Sequence, residues 1–180
     1  MTAEEVLAKV AAKESFEGES LKGLSLAGAE LQNANFAGAD LTGADLSDAN
    51  LEGANLRGAD LTRALFIGAN LSDADLSEAN GHSADFTEAV LEGAFLIGAT
   101  LTAASFNQAE MSGADLTEAD LTAAELTEAI LTGATLTGAD LTNAILTAAD
   151  LTDAETSDAV FTDADLDEVV GFEAADDDDY

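Results

Sequence analysis

Carboxylates are the side chains of this sequence most able to do chemistry, since 37 of the 180 residues are Asp or Glu. Paired carboxylates can act in acid–base catalysis or bind a hard cation such as Ca²⁺. Similar pairs recur along the whole chain, however, so none is distinguished as a catalytic dyad. His82 is the only histidine and there is no cysteine. We therefore predict a non-enzyme without cofactor or metal ion, in which His82 is a surface residue.

The net charge of −32 restricts the class of partner. All five basic residues lie within the first 63 positions, whereas residues 64–180 hold 26 acids and no Lys or Arg. Direct binding to nucleic acid needs basic side chains that displace counterions from phosphates, so it is not expected. A protein partner with a basic surface is the natural complement. General solubility, or adaptation to a salt-rich cell, is the alternative explanation of the acidity.

Two further features of the composition concern location. No stretch approaches the ~20 consecutive apolar residues of a transmembrane helix. The opening MTAEEVLAKV is acidic and lacks the continuous apolar run of a signal peptide. We expect a cytoplasmic protein that does not associate with a membrane.

A five-residue phrase positions most of these acids, since 27 of the 37 lie within residues 16–166. Its central residue, position i, is almost always Leu or Phe and recurs in one register from Phe16 to Leu166. Position i−2 is Ala without exception from Ala29 to Ala164, and i−1 is mostly Asp or Asn. Five residues advance an α-helix by about 500°, so its leucines would not stay on one face. The period predicts short extended pieces, with i−2 and i facing inward and a corner at i+1 and i+2.

The corner position i+2 is often Gly, which suits a turn. Glu, Asp and Ala occupy the same position elsewhere in the chain. We therefore expect that the corner does not always require a positive φ. Periodicity alone leaves open whether a coil has three sides or four.

Runs such as GADLTGADLSDANLEGANLRGADL resemble the consensus A-(D/N)-L-x-x of the pentapeptide-repeat family over about 150 positions. The resemblance implies an all-β fold, a right-handed quadrilateral parallel β-helix in which residue n stacks on residue n+20. Some members of this family mimic duplex DNA, bind DNA gyrase or topoisomerase IV, and dimerise through their C-terminal ends. The resemblance thus implies a type II topoisomerase as one possible basic partner. The unbroken register lacks the projecting loops that some of these members use on gyrase.

The chain divides into three segments on this interpretation. Residues 1–13 are expected to form an α-helical cap that begins with a Thr2–Glu5 capping box. Residues 14–166 form the β-helix. Residues 167–180 are expected to cover the last coil or to join two rods through Val170 and Phe172, and then to end in a disordered acidic tail.

Candidate contact residues follow from the n+20 stacking. Four aspartates fall in one outward column and are the predicted partner-binding residues: Asp40, Asp60, Asp120 and Asp140. Phe95 and Ile97 are apolar at outward positions, and we predict them as apolar contacts. Leu65 and Ile67 are expected on the opposite side of the rod. An interaction scaffold that uses such apolar contacts is the alternative to a DNA mimic. At Gly81 a central side chain is missing, and we expect Phe86 to help fill the space.

Overall fold

The structure, a computed structural model, describes residues 1–172. Its one helix, α1, spans Ala3–Ala11 and has Thr2 as N-cap. The Glu5 amide donates to Thr2 Oγ1 over 3.2 Å and the Thr2 amide donates to Glu5 Oε2 over 2.8 Å, which completes the capping box. Val6 is fully buried against the core. The helix therefore covers the apolar layer at the start of the rod.

Lys9 ties this helix to the first coil. Its Nζ lies 2.5 Å from Oε1 of Glu19 and 5.0 Å from the centroid of the Phe16 ring. The second contact has cation–π geometry. The helix is thus anchored by one ion pair and one aromatic ring as well as by Val6.

Coils of four pentapeptides each come after α1. Parallel bridges join residue n to residue n+20, from Ser20↔Asp40 to Asp150↔Val170. In each bridge the two partners are at position i−1, and one turn of the chain contains four pentapeptides. The Leu21 amide donates to the Asp40 carbonyl over 2.7 Å, and the Asp40 amide donates to the Glu19 carbonyl over 2.9 Å. The coil is therefore four-sided, as the resemblance implies.

The expectation of an all-β chain is only partly confirmed. Within residues 1–172 the pairing consists of isolated bridges, and no continuous strand is present. The physical reason is the short side of the coil. Two of every five residues form the corner, so only one residue per side has the full parallel bonding pattern.

The prediction for the corners was wrong. Every residue at i+2, from Gly18 to Glu168, has a positive φ, and more than half of these residues are not glycine. Ala103, for example, has φ 54°. A left-handed residue with a Cβ costs about 1–2 kcal/mol. Two hydrogen bonds offset this cost: the i+3 amide donates to the i carbonyl, and the i+2 amide donates to the i+1 carbonyl of the next coil. The hydrogen bonds that close the coil therefore impose a positive φ at the corner, whichever residue occupies it.

Alanine and the central residue share the inside of the rod. Central side chains from Phe16 to Leu151 are at most 2% exposed. Phenyl rings stack in neighbouring coils, with centroids 4.8 Å apart for Phe66–Phe86 and Phe86–Phe106. At Gly81 the closest side-chain atom is Leu101 Cδ2, which would lie 2.8 Å from an added Cβ. Leu101 of the next coil therefore reaches into the space next to Gly81.

The last coil is less enclosed than the others. Its inward residues are only half-buried: Ala154, Thr156, Ala159, Phe161, Ala164, Leu166 and Val169. Phe172 packs on Phe161, with ring centroids 4.7 Å apart. The predicted disordered tail, residues 173–180, lies outside the described residues. Within the described part of the chain, the rod therefore ends in an open apolar layer.

Candidate interaction surface

The predicted acidic column lies along one side of the rod. Bridges connect Asp40 to Asp60 directly and Asp120 to Asp140 directly, with Asn80 and Thr100 between the two pairs. These are the only bridges within residues 1–172 that place one acid on another. Neighbouring coils are about 4.8 Å apart, so like charges repel along this column. A cationic partner would relieve that repulsion.

Hydrogen bonds within each corner orient these carboxylates. Oδ1 of Asp40 accepts from the Thr42 amide over 3.0 Å and from the Thr42 hydroxyl over 2.6 Å. Oδ1 of Asp140 accepts from the Thr142 amide over 2.9 Å. The same type of bond to Thr62 and Thr122 holds Asp60 and Asp120. The column is thus preorganised by the phrase D-L-T.

The same bonds keep two of these groups ionised. The Thr42 hydroxyl and amide lower the pKa of Asp40, with Lys22 adding a smaller electrostatic contribution. The Thr142 hydroxyl and amide lower the pKa of Asp140. On another side of the rod, Thr152 lowers the pKa of Asp150 in the same way. These hydrogen bonds favour the charged form of each of the three carboxylates.

Few cations offset the acids. Arg57 forms an ion pair with Glu78, and Lys9 pairs with Glu19. Residues 64–172 contain 21 acids and no Lys or Arg. The C-terminal two thirds of the rod is therefore uniformly acidic, whereas the first coils carry both signs of charge.

Phe95 and Ile97 are exposed, as are Leu65 and Ile67 on the opposite side. Val170 is exposed and lies on a lateral column above Asp150 and Ile130. Phe172 instead lies against the open end of the core. The structure thus separates the two residues that the sequence assigns to one dimer contact.

Metal-ligating groups, His82 and the concave regions are the remaining features of the described residues that bear on chemistry. No group of three His, Asp or Glu side chains within residues 1–172 is arranged to hold a metal ion. His82 is exposed, with its Nδ1 2.7 Å from Thr102 Oγ1. The concave regions lie at the two ends of the rod, where residues such as Val10 and Asn35, or Phe161 and Phe172, line them.

A family model for pentapeptide repeats matches the chain in eight copies, which cover residues 16–80 and 84–170. The chain belongs to the pentapeptide-repeat family. Members of this family fold as right-handed quadrilateral β-helices. No curated protein matches the chain closely in sequence.

Several solved structures of pentapeptide-repeat proteins are similar to this one. A pentapeptide repeat protein from the cyanobacterium Cyanothece 51142 is 25% identical, with a TM-score of 0.49, over 67% of this chain and 90% of that one. QnrB1, a plasmid-mediated fluoroquinolone resistance protein, is 22% identical, with a TM-score of 0.48, over 86% of this chain and 84% of that one. HetL of Nostoc, which is involved in heterocyst differentiation regulation, is 27% identical, with a TM-score of 0.30, over 97% of this chain and 99% of that one.

The described residues contain no helix of the length and apolar character needed to cross a membrane. Sequence reasoning located the acidic column and the apolar outliers. It left open whether residues 167–180 cover the last coil or join two rods, because burial at an end depends on the segment that comes after the last coil. Within residues 1–172 the structure leaves that coil half-buried, with Phe161 among its partly exposed residues.

Proposed function

We propose that this pentapeptide-repeat protein is a non-catalytic binding protein whose acidic rod occupies a basic groove that otherwise holds duplex DNA. The groove of a type II topoisomerase, such as DNA gyrase or topoisomerase IV, is the target that we test first. The observation that carries the proposal is the linear density of outward charge on the rod. The cytoplasmic location expected from the sequence is part of the same proposal.

The charge density follows from the coil geometry. Residues 16–166 hold 27 acids and three bases, so their net charge is 3 − 27 = −24. The 31 corners mark 31 pentapeptides, and four pentapeptides advance the rod by one coil of about 4.8 Å. The rod is therefore roughly 37 Å long, with ~0.65 negative charges per Å. Duplex DNA has one charge per ~1.7 Å, or ~0.59 per Å. A protein groove that is complementary to duplex DNA would therefore meet a similar electrostatic field on this rod.

The open C-terminal end supports a dimer within this proposal. Inward side chains such as Phe161, Leu166 and Phe172 are only half-buried there. The Phe161 and Leu166 amides, unlike those of earlier coils, have no backbone acceptor within residues 1–172. Two rods that meet at this end would cover both apolar layers and form one acidic surface of about twice the length.

A supercoiling assay with purified gyrase at modest salt tests the proposal. We expect inhibition that weakens steeply as salt rises, because each charge contact displaces counterions. A variant with D40N, D60N, D120N and D140N should inhibit less than a control with E52Q, D73N, E92Q and D153N, which removes four charges from another side. Absence of both inhibition and binding at micromolar protein would refute the gyrase target.

The interaction scaffold is the second candidate, favoured by the exposed side chains of Phe95 and Ile97. Its complexes would depend less on salt than a charge-driven complex. Pull-down at low and high salt separates the two candidates. A protein whose acidity serves only a salt-rich cell would instead gain stability in molar salt without binding either partner.

A further inference from the structure

Two outward patches of the rod have the same composition. We define the Leu65 patch as Leu65, Ile67 and Gly68, and the Phe95 patch as Phe95, Ile97 and Gly98. In each patch the large side chains stand at i−1 and i+1 of one pentapeptide, and the glycine forms the corner. The exposures are 38% for Leu65 and Ile67, and 45% and 38% for Phe95 and Ile97. The surrounding sequences, ALFIGA and AFLIGA, differ only in the order of Leu and Phe.

Each patch lies between two acidic coils. Leu65 bridges to Asp45 on one side and to Asp85 on the other, and Phe95 bridges to Asp75 and to Asp115. A second acid stands at the corner of each of these four neighbouring coils. The frame of the Leu65 patch is Asp45, Asp48, Asp85 and Glu88, and the frame of the Phe95 patch is Asp75, Glu78, Asp115 and Glu118.

The backbone places the corner acids in the same way at both patches. The Asp48 amide donates to the Ile67 carbonyl over 2.8 Å, and the Glu78 amide donates to the Ile97 carbonyl over 2.9 Å. The inner acids are held by their own corners: Asp45 accepts from the Ser47 amide over 3.1 Å and Asp85 from the Thr87 amide over 3.0 Å. The frames are therefore oriented before any partner binds.

Other exposed apolar residues lack this arrangement. Ile130, Ile145 and Val160 each have a threonine at the following outward position, so each is a single apolar side chain. Isolated exposure of this kind is ordinary on a protein surface. The paired and framed arrangement occurs twice along the sides of the coils.

The two patches face opposite directions. Leu65 and Phe95 are six pentapeptides apart, which is one and a half coils of four pentapeptides. Half a coil corresponds to half a turn around the rod, and the offset along the axis is about 7 Å. One partner segment cannot contact both patches by lying along a single side.

We propose that each patch binds an amphipathic helix of a protein partner, in which apolar side chains lie between two basic ones. The frame acids before and after each patch are two coils apart, or about 9.6 Å. Residues seven apart in an α-helix are about 10.5 Å apart on one face, with the third and fourth residues between them. Such a helix places a Lys or Arg on each acidic coil and its apolar residues on the patch. This inference rests on the proposed function as a binding protein for basic partners, and it adds a stoichiometry of two helices per rod.

The two sites differ in one contact. Arg57 already pairs with Glu78, a member of the Phe95 frame, whereas none of the four acids around the Leu65 patch has an ion pair within residues 1–172. A basic helix must compete with Arg57 at the Phe95 patch. The Leu65 patch is therefore the tighter of the two sites, and R57Q should strengthen binding at the other.

Isothermal titration calorimetry with a synthetic helical peptide tests this inference. The probe carries two leucines between lysines seven positions apart on an otherwise alanine and glutamine helix. We expect two peptides per chain. L65N with I67T, or F95N with I97T, should reduce the stoichiometry to one, and all four changes together should weaken binding about tenfold or more. Asn and Thr are common at these outward positions, so each variant keeps the repeat pattern.

The control is D153N with D163N, which removes two charges from corners of the last coil and leaves both frames and the acidic column intact. We expect this control to keep two sites. A stoichiometry other than two, or unchanged affinity in the four-residue variant, would overturn the inference. If that variant still inhibits gyrase while its peptide affinity is unchanged, the two patches fail but the acidic-rod function stands. If the unaltered chain binds neither the peptide nor gyrase, both proposals fail.

Discussion

The two ends of the rod present the same kind of apolar layer, and within residues 1–172 only the N-terminal layer is covered. At the N-terminal end α1 lies over the first coil, where Phe16 is fully buried and Val6 packs on the core. At the C-terminal end Phe161 and Leu166 stay half-buried, and Phe172 packs on Phe161. A nine-residue helix is thus sufficient to enclose a four-sided layer of this size.

The difference shows that the repeat that extends the rod does not by itself cover the apolar layers at its ends. Each internal coil is covered by its neighbours, so its burial needs only the five-residue phrase. A terminal coil needs a segment that departs from the phrase. The chain has such a segment before the first coil, and the described residues contain none after the last. In the dimer proposed above, the end-to-end contact of a second copy would cover this layer.

Matched truncation of one ring at each end gives the largest effect. We expect Phe16→Ala to lower the free energy of unfolding by about 3–5 kcal/mol, because it leaves a cavity beneath α1. Phe161→Ala should cost less than half as much in dilute protein, since its ring is already partly solvated. Urea denaturation at several protein concentrations measures both. Equal losses at low concentration would show that the C-terminal layer is covered in the single chain.

The second prediction concerns self-association, which we expect through the C-terminal end of the rod and not through the N-terminal end. Phe161→Asp should abolish a dimer that forms through the C-terminal layer, because it would bury a charge in the contact. Leu7→Asp changes an exposed apolar residue of α1 at the other end and serves as the control. Analytical ultracentrifugation should show a monomer for the first variant and a dimer for the second. A dimer in both would place the contact elsewhere.

The capping box of α1 offers a smaller test. Thr2→Ala removes the side-chain acceptor of the Glu5 amide. We expect a loss of about 1 kcal/mol in the stability of the N-terminal end. Hydrogen exchange should reveal faster exchange in α1 and the first coil, with no change around Leu151. Faster exchange along the entire rod would indicate that the coils unfold as one unit.

The smallest effect concerns two aspartates of one column near opposite ends. Both Asp40 and Asp140 have a lowered pKa through hydrogen bonds from the following threonine, but only Asp40 also has a nearby base, Lys22. Lys22→Gln should raise the pKa of Asp40 slightly and leave that of Asp140 unchanged. Thr142→Val should raise the pKa of Asp140. NMR titration of the side-chain carboxyl carbons measures these shifts.

The sign of the pH dependence follows from the same bonds. A carboxyl whose pKa is lower in the folded state contributes stability above its unfolded pKa, near 3.8 for these groups. That contribution disappears as pH falls through the folded pKa. Thr142→Val should therefore reduce stability at neutral pH and have less effect in strong acid. A larger effect in acid than at neutral pH would contradict this reading of the Asp140 bonds.

Much of the fold could be predicted because the inward positions repeat without interruption. Ala and Leu at i−2 and i identify the core, and only the family resemblance supplies the four sides. The corner was mispredicted because residue preference at Ala103 or Glu118 is local, whereas closure of the coil is imposed by bonds to the next coil. The approach of Leu101 to Gly81 was not anticipated for a related reason, since Leu101 belongs to the next coil.

The candidate surface was only partly predictable. The acidic column follows from the stacking of n on n+20, and Phe95 with Ile97 stands out by composition. The acids on either side of Leu65 are one full coil away from it in each direction, so they do not form a local motif. The Arg57–Glu78 ion pair at the Phe95 patch depends on side-chain reach between coils and has no sequence signal.

Because each coil has four sides, the position of a residue in the sequence decides the side of the rod on which it lies. Insertion of a single pentapeptide in the middle of the rod would add one side to the coil without disturbing the packing of Ala and Leu. All residues after the insertion would be rotated by a quarter turn about the rod axis. Two such units inserted between Ile67 and Phe95 would bring the two apolar patches to the same side of the rod. Duplication of single pentapeptides can thus change which outward side chains lie on the same side of the rod, while the Ala and Leu core stays unchanged.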